Sequence, residues 1–176
     1  MTRKLNGVKP QDILILLKIL ATEPRPLSQA DLAGAVRLSL GEVSYGLQRL
    51  REARLLDYDG KLLRTNVLEL LLHAVKYIVP GQLGKISRGV PTSHSAPILA
   101  KRISSSDTDS YVLEHPAGQV RGQSVTPIYK TAAEAALADE GVYAMIALLD
   151  AIRVGKAREQ KMAREMLSKI IKGEEV

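Results

Sequence analysis

Two serine-led helix starts stand eleven residues apart, Ser28-Gln29-Ala30-Asp31 and Ser39-Leu40-Gly41-Glu42. In each, a hydroxyl precedes an acid by three residues, the pattern in which serine caps the third backbone amide and the acid reaches back. The first has Asp where Glu is usual. Two capped helices this close require a short helix and a tight turn between them. The second carries Leu40, Val43, Leu47 and Leu50 at spacings of 3, 4 and 3, which predicts one apolar stripe. Upstream, Pro10-Gln11-Asp12 predicts a helix start, because Pro is tolerated in a first turn and an acid there faces the positive dipole end. The run Ile13, Leu14, Leu16, Leu17 and Leu20 predicts burial on most sides, and Pro24 and Pro26 end that helix.

Opposite the apolar stripe of the third helix lie Gly41, Tyr45, Gln48 and Glu52, flanked by Ser44 and Arg49. Short or hydrogen-bonding side chains at the N-terminal end of such a face permit close approach to base edges, while Arg49 and Arg51 can neutralise phosphates. The stretch Ser28 to Leu56, SQADLAGAVRLSLGEVSYGLQRLREARLL, resembles the helix-turn-helix of bacterial winged-helix regulators of the MarR type. That resemblance covers roughly residues 10 to 66. It implies that Ser39 to Arg54 is the recognition helix, with Ala33 the small residue at the helix crossing and Val43 its packing partner. Two positions depart from the family pattern. Arg37 stands in the interhelical turn, and Arg54 after the recognition helix, where Gly commonly supplies a left-handed conformation that costs other residues on the order of 1 kcal/mol.

Leu55 to Tyr58 and Lys61 to Thr65 flank Asp59-Gly60, a strong hairpin signal that would form a short wing carrying Lys61 and Arg64. The expected DNA-contacting set is therefore Ser28, Arg37, Ser39, Gly41, Ser44, Tyr45, Gln48, Arg49, Arg51, Lys61 and Arg64. Asn66-Val67-Leu68-Glu69 reads as another helix start, leading through Leu71, Leu72 and Val75 to Pro80-Gly81. This helix is either a link to a dimer or a fourth core helix.

The expected fold class is mainly α with a small β-hairpin, a winged helix-turn-helix followed by an α-helical C-terminal region. The divisions are 1–79 for the DNA-binding domain, 80–130 for a connecting segment with short strands, and 131–176 for a helical assembly region. Residues 80–103 are rich in Gly, Pro and Ser and read as a long loop of the sort that often serves function. Gly84-Lys85 lacks the following Ser or Thr and the upstream Gly of a phosphate-binding loop. Ser93-His94-Ser95 sets a hydroxyl beside an imidazole, without an acid that the sequence can place near it. Residues 104–110 read as a polar surface loop. Tyr111 to Leu113 and Gln119 to Val125 either pair as a hairpin or extend the wing sheet. Thr131-Ala132-Ala133-Glu134 reads as a capping box, and Asp139 as the cap of a helix ending at Gly155. The segment Lys156 to Lys172 carries Met162, Met166, Leu167 and Ile170 on one stripe. These last two helices must bury their stripes against the N-terminal lobe or a second copy of the chain.

Composition narrows the function classes. The 176 residues contain no Cys, Phe or Trp, which excludes disulfides, thiolate metal sites and broad aromatic stacking on single-stranded nucleic acid. The histidines, His73, His94 and His115, lack paired metal-ligand spacing, so neither metal nor cofactor is expected. Acids such as Asp150 and Glu165 read as surface positions, and no enzyme is expected. Of the formal charge of +6, residues 1–103 carry 16 basic against 8 acidic side chains, and the remainder 9 against 11. One end thus suits a polyanion. The absence of a signal segment or a membrane-length apolar run leads to the expectation of a soluble cytoplasmic protein without a membrane partner. The first functional expectation is a sequence-specific double-stranded DNA-binding regulator, a repressor acting as a homodimer. The second is an antitoxin-like interaction protein that binds a partner protein through its C-terminal region and autoregulates its operon.

Overall fold

The computed structural model describes residues 7–103 and 109–176, so most of the 104–110 loop expectation lies outside the described residues. The chain is mainly helical with a small three-stranded sheet. Helix α1 (Pro10–Thr22) starts where Pro10 and Asp12 predict it, with the Asp12 carboxylate accepting the Lys9 backbone amide at 2.8 Å. Ile13 to Leu17 are fully buried, which makes α1 the axis around which the core assembles.

Helix α2 (Gln29–Val36) is capped by Ser28, whose hydroxyl accepts the Asp31 amide at 3.0 Å. Helix α3 (Leu40–Glu52) has the complete reciprocal box. The Ser39 hydroxyl accepts the Glu42 amide at 3.2 Å, and the Glu42 carboxylate accepts the Ser39 amide at 2.8 Å. Arg37 and Arg54 both adopt the left-handed conformation, with φ of 56° and 60°, at the two positions where Gly is usual in the resembled family. Val43, Leu47 and Leu50 are buried as their spacing predicts, but Leu40 is 56% exposed. It occupies the first position of α3, one turn ahead of the contact with α1, so the stripe begins at Val43.

After α3 the chain turns back through a minimal hairpin. Leu56 bridges Leu62 antiparallel, Asp57 N–H donates to the Lys61 carbonyl, and Gly60 takes φ of 84°. The next helix begins earlier than Asn66 predicts. Helix α4 (Arg64–Glu69) continues through a π-helical turn, Leu70–Ala74, into α5 (Val75–Ile78), and the Asn66 side chain instead donates to the Arg54 carbonyl at 2.6 Å. Asn66 therefore secures the strained residue after α3 rather than capping α4.

The segment 80–103, read from sequence as a loop, holds a nine-residue strand, β1 (Leu83–Pro91), a short 3₁₀ turn (Ser93–Ser95) and helix α6 (Pro97–Ala100). Strands β2 (Tyr111–Glu114) and β3 (Val120–Val125) form neither a hairpin with each other nor an extension of the Leu56–Leu62 turn. Both run antiparallel to β1 and hence parallel to each other, closing a small barrel. The crossing at Gly118 explains this arrangement. A Cβ there would lie 2.2 Å from the backbone of Gly89, so the connection from β2 to β3 passes directly over β1.

Three helices complete the core: α7 (Ala132–Ala138), α8 (Glu140–Val154) and α9 (Ala157–Lys172). Asp139 caps α8 as expected, accepting the Val142 amide at 2.9 Å, and also pairs with Lys18 of α1 at 2.5 Å. Thr131 makes no cap. Its hydroxyl donates to the Val36 carbonyl at 2.9 Å, tying the start of α7 to the end of α2. The stripes of α8 and α9 are buried within the chain itself, α8 against α1 and α9 against α4. Asp150 corrects its surface assignment, being fully buried on α8. It pairs with Arg153 at 2.7 Å and accepts the Thr92 hydroxyl at 2.6 Å. Burial pushes its carboxyl upward, and the Arg153 charge and Thr92 oppose this. Arg153 also donates to the carbonyls of Val79 and Thr126 at 2.8 Å each, so one guanidinium fastens to α8 the end of the sheet where the start of β1 pairs with the end of β3. No helix among the described residues is long and apolar enough to cross a membrane.

Candidate nucleic-acid interface

The orientation of α3 is set from its inner side. Arg49 donates through Nε and Nη2 to the two Asp12 carboxylate oxygens at 2.7 Å each, and both residues are buried. The hydrogen bond to Asp12 raises the guanidinium pKa above its ordinary value, with burial opposing. One turn away, Gly46 leaves no room for a side chain, since a Cβ would lie 2.5 Å from Ile15 Cδ1 and 2.9 Å from Asp12 Oδ1. Arg49 is thus withdrawn from the phosphate-contacting role that its sequence position predicts. The reason is tertiary: Asp12, buried on α1, holds the guanidinium on the side of α3 that Gly46 and Leu50 bury.

With that face fixed, Gly41, Ser44, Tyr45 and Gln48 stand exposed at i, i+3, i+4 and i+7, a single outward file. Tyr45 is 66% exposed, although tyrosine normally gains by covering its ring. Gln48 donates to Glu52 at 3.1 Å, leaving its carbonyl oxygen as a free acceptor. Gly41 has nothing within 4 Å of the place a Cβ would occupy, so a surface can approach the α3 backbone closely there. Leu40, displaced from the apolar stripe, adds an exposed aliphatic group to the first turn, of a size to meet a thymine methyl.

The remaining expected contacts divide into free and engaged groups. Ser28 and Ser39 are exposed but act as caps, their hydroxyls engaged with the Asp31 and Glu42 backbone amides. Arg37 and Lys61 are exposed and have no ion-pair partner among the described residues. Arg51 is half-buried, its stem lining the cleft between α3 and the Asp59–Gly60 turn, and its Nε has no hydrogen-bond partner. Arg64 is engaged: it pairs with Glu23 at 2.5 Å and donates to the Ile171 carbonyl, joining the chain after α1 to α9. It belongs to the scaffold more than to the free surface.

The fold also brings up residues that the sequence reading left out. Thr131 anchors the segment after β3 against the end of α2. Tyr129 and exposed Lys130 thereby come beside Glu42 at the start of α3. The Ser39 backbone amide and then its hydroxyl hold the Glu42 carboxyl below the usual range; slight desolvation opposes this, while the Lys130 charge and the Tyr129 hydroxyl lower it further. No local pattern points from Lys130 to Glu42, 88 residues earlier in the chain; the Thr131 hydroxyl on the Val36 carbonyl holds the two segments together. Elsewhere, His94 is buried, with Nε2 against the Asp109 carbonyl at 3.0 Å and Nδ1 4.0 Å from Glu159. No group of three or more potential metal ligands is assembled among the described residues. Comparison with known protein families, curated proteins and solved structures found no match for this chain.

Proposed function

We propose that this protein is a sequence-specific duplex-DNA-binding regulator, a repressor of the winged helix-turn-helix kind, with α3 as the helix that reads the major groove. One observation carries the reading. The buried Asp12–Arg49 pair and the Gly46 contact fix the inner face of α3, while Gly41, Ser44, Tyr45 and Gln48 form an exposed file with base-reading chemistry. Rigid support beneath exposed polar groups is what readout of base edges requires, since each well-placed contact contributes roughly 1 to 3 kcal/mol of discrimination. Arg37 at the helix turn, Lys130 beside the α3 N-terminus and Lys61 at the hairpin supply positive charge around that file. In this reading, two copies occupy a pseudo-palindromic site with half-sites about 34 to 36 Å apart.

Selection of bound duplexes from a random or genomic DNA library with the purified protein tests the proposal. A recurring motif with two related halves is the expected result; recovery of sequences no different from the input would overturn it.

A partner-protein reading is favoured by a different observation. Tyr77, Ile78, Leu83 and Ile86 are all exposed within ten residues of chain, apolar side chains that a partner would cover. A stable 1:1 complex with the product of an adjacent gene, lost on changing Tyr77 and Ile86 to Ser, would support it.

A further inference from the structure

We infer that Arg88 and Arg121 form a second backbone-phosphate contact, on the three-stranded sheet and outside the α2–α3 unit. The inference rests on the DNA-binding reading and extends it to a sheet whose first strand the sequence reading had assigned to a loop.

The register places Arg88 of β1 directly opposite Arg121 of β3. The Arg88 carbonyl accepts the His115 amide on the β2 side. Because a strand residue directs its N–H and C=O the same way, Arg88 and Arg121 form a non-hydrogen-bonded pair, the narrower of the two antiparallel spacings. Like charges directly opposite one another at that spacing repel and destabilise the ladder. Both side chains are exposed, and neither has an ion-pair or hydrogen-bond partner among the described residues. Ser87 and Gly122, the neighbouring register partners, are buried, so the two guanidinium groups share the outer face.

The surroundings add positive charge. Arg88 and Arg121 line a groove of about 370 Å³ with Lys85, His115 and Glu114. The one acid of that groove, Glu114, lies 4.0 Å from Lys85 and does not neutralise the pair. Two planar forks held side by side over a groove match the oxygens of a phosphate, which arginine binds bidentately.

The two surfaces lie within one duplex turn of each other. Arg121 precedes Lys130, beside the start of α3, by nine residues. That length of chain spans at most roughly 32 Å even when fully extended, less than one turn of duplex at about 34 Å.

The test is binding of a random-sequence 40-base-pair duplex across a salt series, comparing the protein with R88Q, R121Q, the double variant, and K161Q on α9 as a control for loss of an exposed charge elsewhere. Each single variant is expected to flatten the slope of log affinity against log salt by about 0.9, and the double variant by about 1.8. K161Q should leave the slope unchanged. Relief of the repulsion should also raise the melting temperature of each single variant without DNA, which separates lost contact from lost folding. A double variant with the parent slope would overturn the inference while leaving the regulator reading intact. Absence of duplex binding by the parent at low salt would overturn that reading, and this contact with it.

Discussion

Asp12 and Arg49, 37 residues apart, meet through two 2.7 Å hydrogen bonds inside the α1–α3 contact. The pair does more to orient α3 than to stabilise the fold, because removing two charges from water largely cancels their attraction. Breaking it from one side is different. Asp12→Ala and Arg49→Ala are each expected to cost about 3 to 5 kcal/mol by leaving a buried partner uncompensated. Asp12→Leu with Arg49→Met should cost much less than the sum of the single changes. Urea denaturation of the three variants checks this; a double-variant loss equal to the sum of the two single losses would contradict it.

Gly46 and Gly34 separate packing from helix propensity. A methyl at Gly46 collides with Ile15 and Asp12, whereas nothing lies within 4 Å at Gly34, which is exposed on α2. Gly46→Ala is expected to destabilise by roughly 1 to 3 kcal/mol through overpacking. Gly34→Ala should stabilise by about 0.4 to 1 kcal/mol because the unfolded chain loses freedom. Thermal melts of the two variants should move in opposite directions.

The capping box makes the start of α3 sensitive to acid. Glu42 is held below its ordinary value, chiefly by the Ser39 backbone amide and then its hydroxyl. A carboxylate lowered in the folded state stabilises above its unfolded pKa, and that contribution disappears as pH falls through the lower folded value. The melting-temperature difference between the parent and Glu42→Gln should therefore be largest near neutrality and shrink below about pH 4.3. A difference that grew on acidification would contradict the assignment.

Arg37 and Arg54 share a left-handed backbone but differ in expected role. Changing either to Gly should gain about 0.5 to 1 kcal/mol, the relief of backbone strain exceeding the added freedom of the unfolded chain. Arg37→Gly should also flatten the salt dependence of duplex binding by about one, whereas Arg54→Gly should not. Melting curves combined with binding titrations at several salt concentrations distinguish the two.

What could be read from sequence depended on how local the determining forces are. The caps at Ser28, Ser39 and Asp139 and the breaks at Pro24 and Pro26 are set within a few residues of chain, and each appears where the pattern places it, whereas the left-handed Arg37 and Arg54 were legible only through the family resemblance. Strand β1 escaped because Gly84, Gly89 and Pro91 look like loop punctuation, while its pairing comes from β2 and β3, more than twenty residues away. Thr131 has the spacing of a cap but finds a better acceptor in Val36. For the candidate site, the outward file on α3 followed from helical periodicity. Arg49 could not be separated from Arg51 in that way, because only the position of Asp12 on another helix decides which arginine turns inward.

The central claim is that the outer file of α3 reads DNA sequence, and the direct measurement is discrimination between a selected duplex and a scrambled duplex at fixed salt. Tyr45→Ala and Gln48→Ala are expected to reduce that ratio by about 5-fold or more each, the loss of roughly 1 kcal/mol or more of base readout, while binding to the scrambled duplex changes little. Discrimination equal to the parent in both variants would contradict the account.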